Sequence, residues 1–144
     1  MSEFQDKMQG LFHGMLRWEQ WDALMAALCA EAEDGWFVYF VGDAVPTARV
    51  YGDDFTRLVQ EIDALLRREH EEEYLGIVYA DNPAQPTLVK IFDPNNLGHS
   101  CGSSGHFIPP GWVISKALPE PLHDPAPTPM NRKRWWSSIA GWLS

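Results

Sequence analysis

Six apolar residues that recur at helical spacing constrain the fold of this chain more than any other feature. They fall at i, i+3, i+4, i+7, i+10 and i+11, and they are Phe55, Leu58, Val59, Ile62, Leu65 and Leu66. Residues at this spacing share one face of an α-helix. The pattern predicts a helix that begins after Gly52. One face of that helix must be buried, so a second packed layer is required.

Strand-like runs on both sides of this helix can supply the second layer. β-branched and aromatic residues dominate these runs, which are 36–41, 47–51, 74–80, 87–92 and 112–117. The continuous apolarity of 36–41 favours a central strand that is covered on both faces. Turn-forming residues join the first two runs and the next two, which predicts two hairpins. We therefore expect an α+β fold, a largely antiparallel sheet of about five strands with helices packed on one face.

The N-terminal third is also predicted to be helical. Apolar residues step along it by four and three, beginning with Phe4, Met8, Leu11, Met15 and Trp18. Gly10 and Gly14 weaken the first half, so we expect one bent helix or two, with the better-defined part running from about Arg17 to Glu33. Gly35 stands where a helix C-terminal cap belongs.

A proline-rich stretch divides the chain. Five prolines fall within eleven residues, at Pro119, Pro121, Pro125, Pro127 and Pro129. Such a stretch fits neither a helix nor an inner strand. The sequence predicts a globular domain over 1–118, a Pro-rich linker over 119–130 and a basic, Trp-rich segment over 131–144. A short amphipathic helix is expected in that last segment.

The charge distribution limits the partners of the globular domain. The formal net charge is −9, and residues 126–144 hold three cations and no acid, which leaves −12 on residues 1–125. An acidic body repels phosphate backbones, so nucleic-acid binding is disfavoured, whereas a basic protein partner is compatible with it. Residues 69–73, rich in glutamate, are interpreted as a solvated acidic surface. With no signal-peptide pattern and no apolar run long enough to cross a bilayer, the expected location is cytoplasmic.

One long polar loop, 93–106, contains the residues best suited to chemistry. His99, Cys101 and His106 are candidate ligands for a borderline metal such as zinc. Alternatively, Cys101 could be a nucleophile with one of the two histidines as its base. Neither spacing is specific, and no cofactor is predicted. The simplest interpretation is an ordered or mobile connection without chemistry.

Two further interpretations concern the centre of this loop. The backbone N–H groups of Gly102, Ser103, Ser104 and Gly105 could form an anion-binding nest. The three residues Cys101-Gly102-Ser103 resemble the short signature around the cysteine of papain-like proteases, which implies cysteine-dependent catalysis. The second cysteine and the aromatic residue of that signature are replaced by Ser104 and Gly105. The other cysteine, Cys29, is interpreted as a small core residue on an apolar helix face.

The C-terminal segment carries the candidate partner-binding residues. Trp, Ile and Arg side chains are concentrated there, at Trp135, Trp136, Ile139, Trp142, Arg132 and Arg134. Tryptophan and arginine are enriched where proteins meet partners. The alternative is that the segment folds back onto its own sheet. Binding to a membrane surface is a weaker option, because lasting attachment needs more length or charge.

These features predict a small, bacterial-type, non-enzymatic binding or interaction protein. Its partner would be recognised through the loop, the acidic surface or the Trp-rich segment. One alternative is a metal-binding protein or Cys-dependent enzyme that uses the loop histidines and Cys101. The other is a structural protein that self-associates through its C-terminal Trp residues.

Overall fold

A computed structural model describes residues 3–41, 43–94, 110–122 and 130–140. Within these ranges the helices are α1 (Glu3–Met8), α2 (Trp18–Ala30), α3 (Gly52–Glu69) and α4 (Met130–Ala140). The strands are β1 (His13–Arg17), β2 (Phe37–Phe40), β3 (Tyr74–Ala80), β4 (Leu88–Ile91) and β5 (Trp112–Ser115). A single 3₁₀ turn, Ala32–Asp34, follows α2 and ends at Gly35, whose φ of 83° is a conformation that favours glycine.

The strands form one open antiparallel sheet in the order β1-β3-β4-β5-β2. β3 pairs with β1 on one side and β4 on the other, and β5 joins β4 to β2. The predicted α+β class and antiparallel sheet are therefore confirmed. Among the described residues, β1 and β2 each have only one neighbouring strand, so they are the two edges of the sheet. The central position expected for the strand in 36–41 is therefore wrong.

Apolar clusters lie on both faces of the sheet. Alternate residues of β2 divide between them: Val38 and Phe40 belong to the larger cluster, whereas Tyr39 lies in the smaller one. The larger cluster includes side chains from α2, α3 and α4. Phe4 of α1 belongs to the smaller cluster, with Leu122 packed against it. The prediction that the helices pack on one face is therefore not confirmed.

Helix α3 matches its sequence pattern closely. All six residues of the predicted stripe are buried. The Phe55 ring stacks on Trp36, with ring centroids 5.5 Å apart and the planes 8° from parallel. Arg67 Nε of the same helix donates to Asp63, one turn earlier, at 2.8 Å.

The N-terminal third differs from the prediction, because residues 13–17 form a strand rather than part of a helix. Gly14 weakens a helix at this point, and pairing with β3 outweighs the local helical spacing. The Gln20 side chain accepts hydrogen bonds from the N–H groups of Leu16 and Arg17, which stabilises the change from strand to helix. The predicted strand at 47–51 is reduced to one antiparallel bridge, between Val50 and Trp36.

Replacing Phe55 by alanine tests the central packing of α3. We expect Phe55→Ala to lower the free energy of unfolding by about 3–5 kcal/mol, because a large buried ring is replaced by a cavity. Gln60→Ala, on the exposed side of the same helix, should change it by less than about 0.5 kcal/mol. Urea denaturation followed by circular dichroism measures both variants. Equal effects would show that the stripe is not the main packing surface of α3.

Candidate functional site

The loop residues singled out in the sequence lie outside the described residues. This applies to His99, Cys101, His106 and the segment 102–105. Their metal-binding, catalytic and anion-binding interpretations stay predictions. Within the described ranges, no group of three or more His, Cys, Asp or Glu side chains is arranged to hold a metal ion.

The C-terminal segment folds back onto the sheet, which is the alternative arrangement considered from the sequence. Trp136 stacks on Phe40, with ring centroids 5.2 Å apart, and Trp135 meets Trp112 edge-on at 5.7 Å. Ile139 is buried in the same cluster. Arg134 is exposed, and Trp142 lies outside the described residues.

Arg132 fixes the start of α4 to two other elements. Its Nε and Nη2 donate to the two carboxylate oxygens of Asp93, just after β4, at 2.8 and 3.0 Å. Its Nη1 and Nη2 donate to the carboxylate of Glu69, the last residue of α3, at 2.8 and 2.7 Å. Arg132 is 1% exposed. Planar guanidinium groups suit such paired contacts, and here one group ties together three segments that are distant in sequence.

The charges of Arg132, Glu69 and Asp93, which we call the Arg132 triad, depend on one another. The hydrogen bond from Arg132 lowers the pKa of Glu69 below its ordinary value. Burial acts to lower the pKa of Arg132, but the bonds to Glu69 and Asp93 outweigh it and raise that pKa. The sequence interpretation of residues 69–73 as a wholly solvated acidic surface is therefore wrong for Glu69, although residues 71–73 are exposed.

With α4 docked on the sheet, the outer edge of β1 is a candidate recognition surface in the part of the chain that the structure describes. No other described segment pairs with this edge. At the opposite edge, the N–H groups of Trp36 and Val50 exchange hydrogen bonds with each other's carbonyls just before β2. An unpaired strand edge can bind another extended chain through its backbone N–H and C=O groups. Because the Gln20 side chain already accepts from the N–H groups of Leu16 and Arg17, the donors that remain for such a chain belong to residues 13–15.

A groove of about 580 Å³ runs between β1 and the first turns of α2. We call it the β1 groove. It is lined mainly by apolar side chains and glycine, together with His13 and Gln20: Phe12, His13, Gly14, Met15, Gln20, Ala23, Leu24 and Pro83. Apolar walls with a few polar groups are typical of sites that accept side chains from a ligand.

The other face of the same edge has exposed apolar side chains. Leu16 is 46% exposed and Tyr74, at the start of the neighbouring strand, is 60% exposed. Met15 lies in the large cluster, whereas Leu16 lies on the Gly14 side of β1, since a Cβ at Gly14 would be 3.6 Å from Leu16 Cδ2. The Tyr79 ring lies over Gly14 on that face, because a Cβ at this position would approach the ring to 3.1 Å.

The Arg17 end of β1 lies beside a concentration of negative charge. Arg17 pairs with Tyr74, which directly follows the exposed residues Glu71, Glu72 and Glu73. The Trp18 indole N–H donates to the backbone carbonyl of Glu72 at 2.7 Å, which holds this acidic segment against the start of α2. The acidic surface expected from the sequence therefore lies at one end of the free edge.

The sequence interpretation missed the β1 groove because its residues come from three separate segments. Phe12 and Met15 belong to the β1 region, Leu24 to α2, and Pro83 to the turn after β3. The apolar residues of β1 also fit a helical spacing. Gly14 was the one local signal of the groove in the sequence, because a glycine within a strand often marks a position that a ligand or another backbone approaches closely.

The chain matches no family model, no curated protein and no solved structure. No helix among the described residues is both long and apolar enough to cross a membrane.

Replacing Arg132 tests how α4 is held. Arg132→Met leaves the carboxylates of Glu69 and Asp93 without their shared cation, so we expect a loss of about 3–5 kcal/mol of stability. Hydrogen exchange of the α4 amides should accelerate strongly. Arg134→Met makes the same change at an exposed position of α4 and should have little effect. Equal exchange rates in the two variants would contradict the role of the triad.

The triad also predicts a dependence on pH. The pKa of Glu69 is lower in the folded protein than its ordinary value near 4.5. As the pH falls, the Glu69 carboxylate is therefore protonated in the unfolded chain before it is protonated in the folded protein. The stabilisation is complete above that value and is lost as the pH falls through the folded pKa. The stability difference between the wild type and Glu69→Gln should therefore shrink on acidification. Urea unfolding over a series of pH values measures it, and a constant difference would rule out the linkage.

Proposed function

We propose that this is a non-enzymatic binding protein that adds an extended segment of a protein partner to the β1 edge of its sheet. The observation that carries the proposal is the free edge of β1 beside the β1 groove. Main-chain hydrogen bonds along the edge would provide affinity. Side chains that enter the groove would provide selectivity.

The docked position of α4 supports a site at β1 rather than at the C-terminal segment. Trp136 and Ile139 are 7% and 2% exposed, so binding a partner through them would require α4 to leave the sheet. Leaving would break the four hydrogen bonds of Arg132. The β1 edge needs no such rearrangement, and preformed sites bind at lower cost.

Selection of peptides against the full-length protein tests the proposal. A display library of random dodecapeptides should give binders that compete for one site. Ala23 is exposed and lines the β1 groove, so Ala23→Arg places a long charged side chain into the space that a bound segment would use. We expect this variant to weaken binding of the selected peptides at least about tenfold, measured by fluorescence anisotropy, since a well-placed interface residue is worth more than 1 kcal/mol.

Ala26→Arg is the matched control. Ala26 is exposed on the same helix and does not line the groove, so the substitution adds the same side chain elsewhere. Binding should change less than about twofold. The proposal fails if the library yields no binders, or if Ala23→Arg and Ala26→Arg bind the selected peptides equally well.

A further inference from the structure

The surroundings of β1 specify the chemistry of the segment that it binds, an inference that rests on the proposed function. We infer that the segment comes from a different protein and has apolar side chains facing both sides of the sheet. It carries basic residues at the end that lies beside Arg17 and residues 71–73. Three features of the edge lead to this description.

The first feature is that apolar surface flanks the edge on both faces. Successive side chains of an added strand point to opposite sides. One set would enter the β1 groove beside Phe12, Ala23 and Pro83, the apolar lining residues that are not buried. The alternate set would lie beside Gly14 and the exposed Leu16 side chain. A segment with apolar residues on only one side would leave one of these surfaces in water.

The second feature is the charge at one end of the edge. Glu71, Glu72 and Glu73 are exposed next to the end of β1, and Glu19 follows two residues after Arg17. The guanidinium groups of Arg17 and Arg67 are also nearby, but Arg67, 4.8 Å over the Trp18 ring, already pairs with Asp22 and Asp63. A segment with Lys or Arg at this end gains attraction, whereas an acidic end is repelled. The residues that line the groove include no carboxylate. Charge therefore determines which residues are favoured at the end of the bound segment, and apolar contact determines which are favoured in its middle.

The third feature argues against a second copy of this chain as the occupant. An antiparallel pair of β1 strands would have to offer side chains to each other's grooves. Met15 is 3% exposed and packs in its own core, so it is not available to a neighbouring molecule. The same pairing would place His13 of each copy towards Arg17 of the other, which brings no opposite charges together. A basic, apolar segment of another protein avoids both difficulties.

The selected dodecapeptides test this description, together with charge-reversed forms in which each Lys or Arg is replaced by Glu. We expect enrichment of basic residues at one end and alternating apolar residues in the middle. Glu71→Lys with Glu73→Lys should weaken binding of the basic peptides about tenfold at low salt, since each of the two exposed ion pairs contributes up to about fivefold in affinity. The loss should diminish as salt rises. The charge-reversed peptides should bind this variant better than they bind the wild type.

Asp53→Lys with Asp54→Lys is the control for net charge. These exposed residues begin α3, at the opposite end of the helix from residues 71–73, so the charge change is equal but distant. Affinity should stay within about twofold of the wild type.

If peptides bind in the β1 groove without basic enrichment, or if the two double variants lose affinity equally, this inference is wrong while the proposed function stands. Peptide-independent dimers in light scattering that Ala23→Arg abolishes would identify a second copy as the occupant and overturn it too.

Discussion

The edges of a β-sheet have backbone N–H and C=O groups that no neighbouring strand satisfies, and this constraint organises the whole molecule. At the β2 side, the chain partly closes its own edge through the bridge between Trp36 and Val50. At the β1 side, no described segment does so. The two faces of the sheet are covered by helices and the chain that follows β5. Gln20 satisfies the N–H groups of Leu16 and Arg17, so among the described residues the 13–15 part of the β1 edge can still form backbone hydrogen bonds with another chain.

The Arg132 triad determines which apolar surface remains available. By binding Asp93 and Glu69 together, it holds α4 over Phe40 and Trp112. Trp136, one of the residues that suggested a partner-binding segment, thereby belongs to the large core cluster, and Trp135 packs against it. α4 therefore packs as part of the core. Among the described residues, the large apolar side chains that stay exposed include Leu16 of β1 and Tyr74 of β3, together with Leu11, Tyr51 and Leu118.

Long periodic segments could be predicted from the sequence, whereas contacts between distant segments could not. The stripe of α3 and the strand β3 are long enough for their periodicity to be unambiguous. β1 has five residues and is defined by pairing with β3, some sixty positions later, which no local pattern encodes. Likewise, Arg132 has partners 39 and 63 residues away. The abundance of tryptophan correctly indicated apolar contact, but it did not indicate which surface is contacted.

The most direct test of the β1 site is a set of nuclear Overhauser effects between β1 and a bound peptide. With isotope-labelled protein and an unlabelled selected peptide, strand addition predicts cross-strand contacts between backbone protons of the peptide and those of His13 to Arg17. The β1 amides should also become protected from hydrogen exchange. Contacts confined to α4 or α1, with unchanged exchange in β1, would contradict the account.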